Sequence, residues 1–137
     1  MKLLKLFLPV AFLCGAAAPS AGRSMAPRSE VVVVRVGAEA KVGRNDLKIK
    51  FMAVEEDSRC PKDVQCVRAG NARVRLRARN SKGDRDVFAL NTNDQPREIE
   101  FGRYRIELTD LRPYPTTAGG PSPRRYRAEL TVTKLKR

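Results

Sequence analysis

An all-β fold is predicted, with about seven antiparallel strands packed as an immunoglobulin-like β-sandwich and a small β-barrel as the alternative. Three observations carry this expectation. From Glu30 onward, apolar and polar residues alternate with a period of two, and no stretch keeps the period of an amphipathic helix. The alternating runs are short, and each is bounded by Gly, Pro, Asn or Asp. Four prolines between Pro113 and Pro123 interrupt the pattern once, as a long loop before a last strand.

The strands are taken in order. Val31–Val36 is a β-branched run, and Asp46–Val54 alternates lysines with apolar residues. Ala72–Arg79 is the most regular: Ala72, Val74, Leu76 and Ala78 share one face, and Arg73, Arg75, Arg77 and Arg79 share the other. One face suits a core and the other suits water. Asn80-Ser81-Lys82-Gly83 reads as a hairpin turn into Arg85–Leu90. Arg97–Phe101 and Tyr104–Leu111 meet at Gly102, a second tight turn. Arg125–Leu135 closes the domain, with Tyr126, Ala128, Leu130 and Val132 on one face.

The first residues carry a different signal. Lys2 and Lys5 precede the apolar run Leu6–Leu13, and small residues follow from Gly15 to Ala21. That order is a secretory signal peptide, and about eight apolar residues are too few to span a bilayer. Residues 1–20 are therefore read as the leader, 21–29 as a disordered linker and 30–137 as one domain. Two processing routes stay open. Ala18-Pro19-Ser20 offers an ordinary small-x-small cleavage site, whereas Cys14, directly after the apolar run, offers a lipidation site. Lipidation of Cys14 is the only membrane attachment expected. Either route leads to the periplasm or the cell envelope.

The formal charge is +13, and removing Lys2 and Lys5 with the leader leaves +11. A chain so basic is attracted to anionic surfaces, which in the envelope are phospholipid, lipopolysaccharide and related polymers. The expected partner is an anionic envelope component or an envelope protein. Nucleic acid is not expected, because the arginine face of Ala72–Arg79 has no aromatic residue for bases to stack on. Histidine is absent, which excludes a histidine-dependent triad or zinc site. No P-loop or dinucleotide-binding fingerprint is present either. No cofactor is expected, and the protein is read as non-enzymatic. Glu55-Glu56-Asp57 lacks the glycine and alternating oxygen ligands of a calcium loop and reads as a solvated strand end.

Cys60 and Cys66 remain once the leader is set aside, and an oxidising compartment would join them. Five residues separate them, where a redox pair usually has two, so the bridge is expected to be a structural brace. Closing a loop of this size contributes about 2.4 kcal/mol in the chain-entropy treatment. A braced loop on a β scaffold suits binding, and Arg59, Pro61, Lys62 and Arg68 are its candidate contact residues. The same rigidity would suit a hydrolase inhibitor that inserts Arg59 or Lys62 into an active site. Arg73, Arg75, Arg77 and Arg79, about 6 to 7 Å apart along their strand, form a candidate anion-binding stripe. The stripe would be neutralised if Glu98, Glu100, Glu107 and Glu129 stood beside it across a sheet.

Asp57-Ser58-Arg59-Cys60-Pro61, Val64-Gln65-Cys66-Val67 and Ala69-Gly70-Asn71-Ala72 together resemble the signature of a group of small exported bacterial proteins and lipoproteins of unknown function. Asp110-Leu111-Arg112-Pro113-Tyr114-Pro115 and the late Tyr126 strand are similar to their C-terminal half. The resemblance implies a bacterial origin and a periplasmic or membrane-anchored location, and brings no activity with it. Arg68 stands where that pattern commonly has tryptophan, so the loop exit lacks an aromatic contact.

Overall fold

Alternation along the most regular strand sets the position of the core. Ala72, Val74, Leu76 and Ala78 have no solvent exposure, while Arg73, Arg75 and Arg79 between them are exposed. The computed structural model describes residues 27–136. The expected leader with Cys14, and residues 21–26 of the expected linker, lie outside the described residues.

Eight strands are present: β1 Ser29–Arg35, β2 Glu39–Val42, β3 Leu47–Asp57, β4 Ala72–Asn80, β5 Arg85–Asn91, β6 Glu98–Phe101, β7 Tyr104–Arg112 and β8 Arg127–Lys134. They form two separate antiparallel sheets, β2-β3-β4-β5 and β1-β8-β7-β6, which makes the fold the expected sandwich rather than the barrel. One face of each sheet meets the other over a shared core. Leu47, Ile49, Phe51, Leu76 and Leu90 come from the first sheet, and Ile106, Leu108, Leu111, Leu130 and Val132 from the second. Each of these side chains is 0–1 % exposed, and burial on that scale stabilises by roughly 1.5–3 kcal/mol per residue.

Several boundaries differ from the sequence reading, and β8 begins at Arg127 because Pro123–Arg125 forms a 3-10 turn where the strand was expected to start. β2 was not expected; it contributes Val42 to the core and pairs with the start of β3. β1 begins at Ser29, and the Arg28 carbonyl accepts a hydrogen bond from the Lys134 amide at 2.9 Å, so pairing reaches into the expected linker. β3 runs three residues beyond Val54, with register shifts between Phe51 and Ala53 and between Val54 and Glu56. Each shift is a bulge that re-aims the side chains after it.

One end of the sandwich is closed by Asp46 in the β2–β3 turn. Its carboxylate accepts hydrogen bonds from Tyr104 Oη at 2.8 Å, from Arg103 Nη2 at 2.7 Å and from Ser81 Oγ. These bonds, that of Ser81 first, hold the Asp46 carboxyl far below the ordinary carboxylate range. The turn thereby ties β3 to the β4–β5 and β6–β7 turns. The disulfide loop lies at the opposite end.

Phe51 is the largest fully buried side chain. Phe51→Ala is expected to lower unfolding stability by about 3–5 kcal/mol, measured by urea denaturation.

Candidate functional site

The loop between β3 and β4 begins at Ser58 and returns at Asn71. Cys60 and Cys66 are joined, with 5.9 Å between their Cα atoms. Below the bridge, the two arms of the loop pair with each other. The Ser58 amide donates to Asn71 O at 2.7 Å, and the Cys60 amide donates to Ala69 O at 2.8 Å. Gly70 lies at φ +68°, and a Cβ there would collide with the Ser58 carbonyl, so this return is open only to glycine. Asn71 Oδ1 accepts from the amides of Asn93 and Asp94 at 3.1 and 3.3 Å, which fastens the loop exit to the β5–β6 turn.

Arg59 fixes the loop to the second sheet. It is 4 % exposed, far from the free rim position expected of a contact residue. Its Nε and Nη2 donate to the two Asp57 oxygens at 2.8 and 2.7 Å, the forked geometry of a bidentate pair. Nη2 also donates to Pro113 O at 2.9 Å, and Nη1 to Leu111 O. The Tyr114 ring covers the guanidinium at 4.4 Å. Tyr126 Oη completes the cluster by donating to Asp57 Oδ2 at 2.9 Å. Burial alone would raise the Asp57 carboxyl, but bonds from Arg59 and Tyr126 outweigh it and hold Asp57 below its usual range. Burial, reinforced by the Asp57 carboxylate, pushes the Tyr126 hydroxyl up to about 12. Arg59 is thus a framework residue, enclosed by Asp57, Tyr114 and the Leu111 and Pro113 carbonyls and not presented at the loop's rim.

The rim is different. Lys62, Val64, Val67 and Arg68 are exposed, Val67 completely. Pro61 is partly covered. The rim also docks on the proline-rich loop: the Lys62 amide donates to Pro115 O at 3.0 Å, and the Asp63 carboxylate accepts from the Thr117 amide at 3.0 Å. These Thr117 bonds hold the Asp63 carboxyl below its ordinary value. Two loops far apart in sequence therefore form one surface. A concavity of about 300 Å³ lies beside the bridge, bordered by Cys60, Asn93, Arg97, Asp110 and Tyr114.

The arginine stripe of β4 is partly neutralised, and by other carboxylates than expected. The β3 bulge carries Glu55 to Arg73, at 3.1 Å, and to Arg75; Glu39 of β2 meets Arg79 at 2.9 Å. Glu98, Glu100, Glu107 and Glu129 belong to the other sheet, where Glu98 and Glu100 pair with Arg105. They cannot reach the stripe. Among the described residues, Arg77 has no carboxylate within 4.0 Å. Strand register also brings Lys41, Lys48, Arg79 and Arg85 into one row across four strands.

A second basic cluster was not foreseen. Arg35, Arg112, Arg124, Arg125 and Arg127 line a single concavity with Pro113, at the end of the sandwich that carries the disulfide loop. They come from three strands and a 3-10 turn at Pro123–Arg125, so no local spacing announces them. Among the described residues no group of three or more acidic, cysteine or histidine side chains is placed to hold a metal ion. No family model, curated protein or solved structure matches the chain.

Arg59→Ala would leave the Asp57 carboxylate buried without its partner. It is expected to destabilise the domain by about 3–5 kcal/mol in denaturant titration, whereas Lys62→Ala on the rim is expected to change stability by less than about 0.5 kcal/mol. The raised Tyr126 hydroxyl gives a pH test. A group whose folded pKa exceeds its unfolded value stabilises fully below the unfolded value and ceases to do so as pH rises through the folded one. Stability is therefore expected to decline between about pH 10 and 12. Tyr126→Phe is expected to flatten that decline in unfolding curves taken across the window.

Proposed function

We propose that this chain is an exported, non-catalytic binding domain of the periplasm or cell envelope, and that it engages an anionic envelope component or an envelope protein through the disulfide loop. The reading rests on one observation above all: the base of the loop is held by a buried bidentate ion pair, while its rim stands in water. Ordering a loop on binding normally opposes affinity, and a loop already held by a bridge and an internal ion pair has little left to lose. Val64 and Val67 supply apolar contact, and Lys62 and Arg68 flank them with positive charge. The neighbouring proline-rich loop enlarges the surface through Tyr114, which is 40 % exposed.

Export is supported by the leader pattern of residues 1–20 and by the pairing of Cys60 with Cys66. A non-catalytic role is supported by the lack of histidine and of any spare thiol among Cys60 and Cys66.

Site-specific photo-crosslinking in intact envelopes tests the reading. A photoreactive side chain at position 67 is expected to give a discrete adduct that disappears in Cys60→Ser/Cys66→Ser. The same group at Val87, exposed on β5 away from the loop, is expected to give none. Equal adducts from both positions would contradict a loop-centred interface.

A further inference from the structure

The arginine concavity beside the loop has a geometry of its own. Arg35 of β1 stands directly opposite Arg127 of β8, and Arg127 stands directly opposite Arg112 of β7. Three guanidinium side chains thus share one row across three neighbouring strands, which spans about 10 Å at ordinary strand spacing. Arg124 and Arg125, on the 3-10 turn that leads into β8, close the concavity, and Pro113 forms an apolar wall. Its volume is about 370 Å³.

Counter-charge is nearly missing. Among the described residues, the one carboxylate within 4.0 Å of these five side chains is Asp110, 2.7 Å from Arg112 Nε. Arg35, Arg124, Arg125 and Arg127 make no side-chain hydrogen bond or ion pair with the described residues. The other nearby carboxylate, Glu129, accepts from Thr109 Oγ1 at 3.1 Å. Like charges placed directly opposite across a sheet destabilise it. The cluster is therefore unfavourable for the isolated fold and would become favourable with an anion in place.

We propose that this concavity is a binding site for a ligand carrying two or more phosphoryl groups. A phosphoryl group offers three strong acceptor oxygens, and guanidinium is the side chain that meets them two at a time. Five such groups against the two carboxylates of Asp110 and Glu129 leave more positive charge than a single added carboxylate could balance, and the row is wide enough for more than one phosphoryl group. The site is built by β1, β7 and β8 and does not depend on the disulfide loop acting as a contact surface. The phosphoryl groups can belong to a soluble polyphosphate or to a phosphorylated lipid headgroup, and the two sources are separable.

The test uses the full chain, inorganic tripolyphosphate and two variants. Arg35→Gln/Arg127→Gln removes the centre of the row, and Arg77→Gln/Arg85→Gln removes the same charge from the other sheet. Tripolyphosphate is expected to bind the wild type in calorimetry at low salt and to raise its unfolding temperature. The first variant is expected to lose affinity by roughly tenfold or more and the second by less than about twofold. Without ligand, Arg35→Gln/Arg127→Gln is expected to unfold at the same temperature as wild type or higher, since repulsion is relieved. The vesicle arm uses phosphatidic acid in phosphatidylcholine, with phosphatidylcholine alone as control. Sedimentation that requires Arg35 and Arg127 and is competed by tripolyphosphate assigns the groups to a lipid; binding of tripolyphosphate without it assigns a soluble ligand. Absence of binding in both arms, equal loss in the two variants, or citrate binding as tightly as tripolyphosphate would overturn the proposal.

Discussion

Taking a guanidinium out of water is strongly unfavourable unless each donor finds an acceptor, and Arg59 meets that condition with backbone and side chain together. Asp57 neutralises its charge through two parallel bonds, the carbonyls of Leu111 and Pro113 take further donors, and Tyr114 covers the plane. The two carbonyls lie at the end of β7 and the start of the proline-rich loop. One side chain therefore fastens the β3–β4 loop to the opposite sheet. The docking of Lys62 on Pro115 and the placement of Pro113 beside the arginine concavity stand on that attachment.

This arrangement divides labour between the loop's residues. The disulfide restrains the tip locally, as a short closed loop should. The ion pair positions the loop as a whole. What remains in solvent, Lys62, Val64, Val67 and Arg68, is free of framework duty and available for contact. The residues from Asp57 to Ala72 divide in the same way. Asp57, Arg59, Gly70, Asn71 and Ala72 hold the loop in place, and each has a physical reason to be what it is.

Much of the fold was legible because its sheets are half-buried, so the period-two pattern survives in the sequence. β4 follows its alternation throughout, and β7 does so up to Leu108, where a register shift turns Leu111 inward in place of Asp110. β2 was not legible: its four residues, Glu39–Val42, are too few to establish a period, and only packing against β3 makes them a strand. The loop and its bridge were legible, but the burial of Arg59 was not, because a lone arginine reads as exposed. The Asp two positions before it was the available signal. Counter-charges for the β4 stripe were sought on Glu98, Glu100, Glu107 and Glu129, since sequence does not reveal which strands share a sheet. The arginine concavity was hidden for the same reason. Arg35 and Arg127 are 92 positions apart and become neighbours only through the pairing of β1 with β8.

The central claim is that the Arg59–Asp57 pair holds the disulfide loop as a rigid part of the sandwich. Amide hydrogen exchange tests it most directly, because the Lys62 amide donates to the Pro115 carbonyl of the proline-rich loop, a bond made only while the loop is docked. In the wild type this amide is expected to exchange slowly, like those of β4. In Arg59→Lys, which keeps the charge but loses the planar fork, it is expected to exchange rapidly while β4 stays protected. Rapid exchange at Lys62 in the wild type, or undiminished protection in Arg59→Lys, would contradict the account.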